Sequence, residues 1–179
     1  MRPGATFVSV ALVVAFSVGA WFLVRWLVPE EDPPLGQRAT VVAVRDGDTL
    51  ELRADAGGPV LAAGETVQAR LIGIDTPELH GADDRPECYA TEARDALARL
   101  APRGGTVYVT ADEERLDRYQ RRLVYVWTEA GVLVNERLAR DGFARRLTIP
   151  PNDRHDTAIT RAITEATARH RGLWQTCQH

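Results

Sequence analysis

Beyond its first 38 residues the chain alternates apolar and polar positions in short runs, and these runs predict strands. "ATVVAVRDGDTLELRA" reads as two of them, Ala39 to Arg45 and Thr49 to Ala54, joined by a tight turn at Asp46-Gly47-Asp48. A glycine-punctuated loop, "ADAGGPVLAAGE", leads to a third over Thr66 to Ile74. "TVYVTA" and "RLVYVWTEAG" are further strands, separated by the charged loop "DEERLDRYQR". Elsewhere the period lengthens. "PECYATEARDALARLAPRGG" carries Ala93, Leu97 and Leu100 at helical spacing, with Gly104 and Gly105 as a stop. "VLVNERLARDGFA" predicts a short helix ended by Gly142. "NDRHDTAITRAITEATARHRGLW" predicts a longer one with Ala158, Ile159, Ala162, Ile163 and Ala166 on one face, Asp153 as cap and Gly172 as stop. Five short strands, with helices after the third and beyond the fifth, predict an α+β domain on a small closed barrel. The five-stranded OB-fold with about three helices is the leading candidate.

The N-terminal segment follows neither period. From Pro3 to Val24 it is uncharged, long enough to cross a hydrocarbon core of about 30 Å as a helix. Arg2 and the amino terminus before it favour a cytoplasmic N-terminus and an exported remainder, while Arg25 on the far side opposes that orientation. Val18-Gly19-Ala20 resembles a signal-peptide cleavage site. A membrane anchor over residues 1–28 is preferred to a cleaved signal, because the apolar run continues to Val28 and Trp21 and Trp26 suit an interfacial belt. Residues 29–38, "PEEDPPLGQR", read as an extended linker, and residues 39–179 as the folded domain. That domain is expected outside the cytoplasm, held at the membrane or secreted.

Composition changes little of this. With 45% hydrophobic and 26% charged residues the bulk of the chain is globular. All 22 basic residues are arginine and the formal net charge is −3, so a nucleic-acid partner would need a local basic face. The two cysteines, Cys88 and Cys177, are too far apart for a CxxC site. In an oxidising compartment they predict a disulfide tying the C-terminal tail to the start of the central helix. The alternative is a two-Cys, two-His zinc site completed by His80 and His179.

The charges around the third strand demand a reason. "ARLIGIDTPELHG" sets Arg70 in an apolar run that ends in Asp75, Thr76, Pro77 and Glu78, although buried charges are costly unless paired or bound to metal. Each piece has a local explanation. Asp-Gly-Asp-Thr is hairpin turn chemistry, and Thr76 can cap a helix with Pro77 at its first position and Glu78 near the dipole. Jointly with a second arginine downstream, they fit phosphodiester hydrolysis, which needs an activated water and positive charge where phosphoryl oxygens gather negative charge. Carboxylates can hold a hard divalent ion, a free carboxylate can act as base, and arginines bind phosphate bidentately. Alternation starts Arg70 and Asp75 on opposite faces, so they need a twist or bulge to meet.

"VRDGDTLEL", "RLIGIDTPE", "ECYATEA", "DRYQRRLVYVW", "VNERLARDGFA" and "GLW" occur in the order and approximate spacing of the staphylococcal nuclease (thermonuclease) family, which the chain resembles from about Ala39 to Trp174. The resemblance implies an OB-type barrel with three helices and calcium-dependent cleavage of DNA and RNA phosphodiesters. Asp48 and Asp75 resemble the calcium carboxylates, and the main-chain carbonyl of Thr76 a further ligand. Glu78 resembles the general base, Arg70 and Arg121 the pair on the scissile phosphate, and Arg118 and Tyr119 match positions beside a terminal phosphate. Oxygen ligands suit calcium or magnesium, and the resemblance favours Ca2+ over Mg2+. A monomer is expected, cutting with little sequence preference because phosphate contacts carry little sequence information.

Two departures stand out. Where the family commonly has glycine on either side of the second arginine, this chain has Gln120 and Arg122. A positive φ at the first site would strain Gln120, and Arg122 offers an extra phosphate contact. In "RRLTIPPN", Leu147 and Ile149 fall where the type enzyme has two tyrosines flanking the base, removing stacking worth about 1 to 3 kcal/mol per base. Arg145 and Arg146 are candidates to compensate through phosphate contacts. The rival to a nuclease is a catalytically inactive OB-fold module that binds single strands or protein at the envelope. Against it stands the joint presence of Asp48, Arg70, Asp75, Glu78 and Arg121.

Overall fold

The structure, a computed structural model, describes residues 36–81 and 83–177. The anchor or signal read over residues 1–28, and residues 29–35 of the linker, lie outside the described residues. Among the described residues no helix is long and apolar enough to cross a membrane.

The strands are β1 (Gln37–Val44), β2 (Thr49–Ala54), β3 (Thr66–Leu71), β4 (Gly73–Asp75), β5 (Thr106–Thr110), β6 (Arg122–Thr128) and β7 (Arg145–Leu147). Alternation orients them: Leu50, Leu52 and Ala54 of β2 and Val107 and Val109 of β5 are buried, with exposed or half-buried residues between them. Five strands close a barrel in the order β1-β2-β3-β6-β5. The β3–β6 pair is parallel and the others antiparallel, with Gln37 opposite Val109 where β1 meets β5. The helices are α1 (Ala90–Leu100), α2 (Val134–Arg140), α3 (Asp156–Ala168) and the single turn α4 (Leu173–Thr176). Leu97, Leu138 and Ile159, one from each longer helix, join the barrel's Leu50 and Leu71 in one apolar core.

Several boundaries differ from the sequence pattern, each for a tertiary reason. β1 begins at Gln37, so Gln37 and Arg38 are strand rather than linker. The buried Gln37 amide donates to Ala56 O and Leu61 O and accepts from Val60 N and Leu61 N, at 2.8 to 2.9 Å. It thereby pins the loop between β2 and β3. The single strand expected over Thr66 to Ile74 is two, β3 and β4, and β4 leaves the barrel to pair with β7. No helix starts at Thr76; the central helix begins at Ala90. Asp153 gives no side-chain cap to α3, which starts after His155, and α3 stops at Ala168 before the left-handed His170 rather than at Gly172.

Asn135 holds the break between β3 and β4. It is wholly buried on α2, donating to Ile72 O (2.9 Å) and Val124 O (3.3 Å) and accepting from Val126 N (3.0 Å). Removing it leaves buried main-chain groups without partners, at about 1 to 3 kcal/mol each. Asn135→Ala is therefore expected to lower the unfolding free energy by about 2 to 4 kcal/mol, read from urea denaturation midpoints at an unchanged slope.

Candidate active site

The β3–β4 break is what brings Arg70 and Asp75 together. Arg70 is cross-strand from Thr49, next to Asp48 at the β1–β2 turn. Gly73 takes φ +85°, and a Cβ there would meet Ile159 Cδ1 at 2.7 Å. The left-handed backbone favours glycine, and the end of Ile159 fills the space a Cβ would take. With the strand interrupted, simple alternation no longer applies, and Asp75 Oδ1 accepts from Arg70 Nη2 at 2.8 Å. The same Nη2 lies 3.0 Å from Asp48 Oδ2, while Nη1 donates to Leu71 O (3.0 Å) and Ile74 O (2.9 Å) across the break. Nε is the remaining donor of Arg70 without a protein acceptor among the described residues.

Asp48 is only 1% exposed. Its Oδ2 also accepts from Thr76 N (2.9 Å) and its Oδ1 from the Thr49 hydroxyl (3.1 Å). Burial pushes this carboxyl up to about 7 against the opposing pull of Arg70, and Asp46 adds to the rise. Gly47 is required by crowding: a Cβ there would sit 2.7 Å from Thr76 Oγ1 and 2.8 Å from Ala93 Cβ. Glu78 is exposed at the rim. Partial burial and the Asp46 carboxylate raise its pKa, Arg70 opposes, and Asp75 and Glu87 raise it further.

The opposite wall is the turn Asp117–Arg121. Asp117 Oδ1 accepts from Tyr119 N and Arg121 N (both 2.9 Å), and Oδ2 from Arg121 Nε (2.6 Å). Arg121 Nη1 reaches Thr49 Oγ1 at 3.5 Å, so Thr49 stands between Arg121 and Asp48. The guanidinium carbons of Arg118 and Arg121 lie 4.7 and 5.5 Å from the Tyr119 ring centroid. Gln120 adopts φ +65°, the left-handed conformation that strains a residue with a Cβ.

Between the walls lies a cleft of about 620 Å³, lined by Arg70, Asp75, Glu78, Arg118, Tyr119 and Arg121 among others. Tyr119, Leu147 and Ile149, the exposed large hydrophobic residues among those described, all line it. Asp48 and Thr76 are buried and absent from its lining. A shallower hollow of about 740 Å³ on α3 contains none of these groups, and its Arg146 is engaged by Asp156.

The donor set suits a hard cation. The Asp48 and Asp75 carboxylates both lie within 3.0 Å of one Arg70 nitrogen, so they converge on one point. The burial that disfavours the Asp48 anion is relieved by a nearby cation, and oxygen donors select calcium or magnesium over soft metals. Among the described residues no three His, Cys, Asp or Glu side chains group as a metal site. The Asp48 and Asp75 carboxylates are the acidic oxygen donors brought together there.

Other expectations are corrected. Arg122 pairs with Glu65 (3.2 Å) and Arg146 binds Asp156 through two nitrogens (3.1 and 2.9 Å), so neither is presented for phosphate. Arg145, opposite Asp75 in the β4–β7 pair, has no ion-pair partner among the described residues. Cys88 and Cys177 form a disulfide, which removes the zinc alternative; His179 lies outside the described residues. Thr49, Asp46 and Asp117 were missed. A Thr directly after the Asp-Gly-Asp turn and an Asp two residues before Tyr119 are the only signals the sequence carries for the first and last.

A family model described as "Staphylococcal nuclease homologue" matches residues 68–176. The chain is 31% identical over 140 residues to a thermonuclease of Staphylococcus intermedius, covering 78% of this chain and 77% of that protein. It is 32% identical over 138 residues to a thermonuclease of Staphylococcus hyicus, covering 77% and 76%. A match at 30% identity to "Endonuclease YhcR" of Bacillus subtilis covers 73% of this chain and 11% of that much longer protein.

Two outcomes follow from the Asp117 turn. Gln120→Gly is expected to raise the unfolding free energy by about 1 kcal/mol by relieving the left-handed strain, measured by urea denaturation. Burial disfavours the Asp117 anion, but the Arg121 N–H and guanidinium outweigh it and hold its pKa below the usual carboxylate value. A depressed folded-state pKa gives stability present above the unfolded-state value and lost as pH falls through the folded one. Asp117→Asn should accordingly destabilise most near neutral pH, and its stability curve should converge on the parent's at acid pH.

Proposed function

Because the chain belongs to the staphylococcal nuclease family and is a nuclease, we propose that it hydrolyses DNA and RNA phosphodiesters with calcium, in the cleft between Arg70 and Arg121. The observation that carries this reading is the convergence of Asp48 and Asp75 on Arg70 across from Arg121, with Glu78 on the rim between acid groups. Family members use a metal ion. Here Asp48, Asp75 and the Thr76 carbonyl would hold calcium, and a bound ion would offset negative charge on a phosphoryl oxygen.

Glu78 acts as general base. Its raised pKa brings it nearer the working pH, which suits proton abstraction from water. The water oxygen bonds to phosphorus, its proton passes to the Glu78 carboxylate, the ester P–O bond breaks, and the departing oxygen takes up a proton from solvent water. As charge builds on the non-bridging oxygens, Arg121 supplies its Nη groups and Arg70 its Nε, both aimed by protein acceptors on their other nitrogens. Arg118 and Tyr119 border the path of a neighbouring phosphate. Contacts of this kind read the backbone, which supports cutting with little sequence preference. The disulfide supports action outside the cytoplasm, at the membrane or after secretion.

Incubating the full chain in detergent with labelled single-stranded DNA and RNA tests the reading. Cleavage is expected with calcium and not with excess chelator; no cleavage under any metal would favour the binding-only module. Glu78→Gln and Arg121→Ala should each lower kcat by about a hundredfold or more while retaining the circular dichroism spectrum of the parent.

A further inference from the structure

We propose that the Cys88–Cys177 disulfide and Glu87 form a positioning device for Glu78, an inference that rests on Glu78 being the base. The Glu78 carboxylate makes no hydrogen bond or ion pair with any described residue, so its placement depends on its main chain. That main chain is gripped at one point. Glu78 N donates to Glu87 Oε2 (3.1 Å), and Glu87 N donates to Glu78 O (2.9 Å).

Cys88 follows Glu87 directly, and its bridge carries the pair to the C-terminal segment, with the two Cα atoms 5.8 Å apart. The far end is firmly seated. Cys177 N donates to Leu173 O (3.0 Å) and Leu173 N to Gly142 O (2.9 Å). Gly142 and Gly172 are packed so closely that a Cβ on either would meet a backbone oxygen at 2.3 Å. On the other side Glu87 O accepts from Ala90 N (3.1 Å) as the chain enters α1 through the left-handed Tyr89. The bridge is the one covalent constraint joining Glu87 to the body of the domain beyond its own chain. A displacement of about 1 Å in an oriented catalytic group can cost on the order of a hundredfold in rate.

Cys88 is exposed, and Cys177 is buried. A dithiol reductant can therefore attack the Cys88 sulfur; two electrons and two protons pass to the bridge, giving two protein thiols and the cyclic oxidised reagent. Opening it is expected to lower turnover while leaving the cleft's substrate and metal groups in place.

The test uses the full chain in detergent and compares the oxidised protein, the dithiothreitol-reduced protein, the paired Cys88→Ser and Cys177→Ser variant, Glu87→Ala and Glu87→Gln. Readouts are kcat and KM on a single-stranded oligonucleotide and calcium affinity by calorimetry. Opening the bridge should lower kcat at least tenfold with KM and calcium Kd within twofold. Glu87→Ala should reproduce this with the bridge intact, Glu87→Gln, which keeps an acceptor for Glu78 N, should restore kcat, and opening the bridge in Glu87→Ala should add no further loss. A smaller fall in kcat, an equal worsening of KM or calcium Kd, or full additivity overturns the proposal. If the bridge-free chain does not fold, the Glu87 pair decides alone. Glu78→Gln keeps the two failures apart: full activity there sinks the base assignment, whereas inactivity there with an unaffected bridge-free enzyme sinks only the positioning role.

Discussion

A guanidinium buried in a barrel wall has to find acceptors for its donors, and Arg70, 7% exposed, finds them in two carbonyls and two carboxylates. Leaving such a charge without its partners typically costs about 3 to 5 kcal/mol. The geometry around it is dictated accordingly. Leu71 O and Ile74 O can both face one nitrogen only if the strand is interrupted between them. The interruption frees Ile72 O, which Asn135 of α2 takes, and it brings Gly73 hard against Ile159 of α3. Helix packing against the break thus sets the shape of this wall of the cleft.

The same constraint sorts the charges. The formal net charge of −3 hides a division in which Asp46, Asp48, Asp75 and Glu78 gather around Arg70, while Arg118 and Arg121 crown the facing turn. Burial first, and the nearness of like charges after it, raise the pKa values of Asp48 and Glu78. An acid cluster of this kind attracts a cation, and a turn carrying two arginines attracts an anion. Thr49 lies at the seam, its hydroxyl between Asp48 and Arg121.

Much of the fold was legible because strand alternation and helical spacing are local: the barrel strands, the Asp46–Asp48 turn and the three longer helices all follow from the pattern. The charged lining of the cleft was legible as a constellation, through Arg70, Asp75, Glu78 and Arg121. Their meeting was not. It depends on a positive φ at Gly73, which packs against Ile159 86 positions away in sequence, and on a buried amide at Asn135. The fates of Arg122 and Arg146 were equally hidden, since an arginine near a motif looks alike whether its partner is a phosphate or a distant Glu65 or a nearby Asp156. Gln120 is the reverse case. The sequence posed the strain as a condition, and the backbone meets that condition.

The apolar floor of the cleft bears on what the enzyme would discriminate. Among the described residues Tyr119, Leu147 and Ile149 are the large hydrophobic side chains left exposed, which marks this lining as a surface suited to being covered by something else. Aliphatic Leu147 and Ile149 bury area against a base without offering it a π-face, so the energy gained depends on contact area more than on ring electronics. Arg118 and Arg121 face the Tyr119 ring, the one aromatic group there, which leaves that ring less free to stack on a nucleobase. With nucleic acid in this cleft, the charged groups would supply most of the affinity. A nuclease that held nucleic acid by its backbone in this way would treat the bases as apolar ballast, the condition under which cleavage becomes indifferent to sequence.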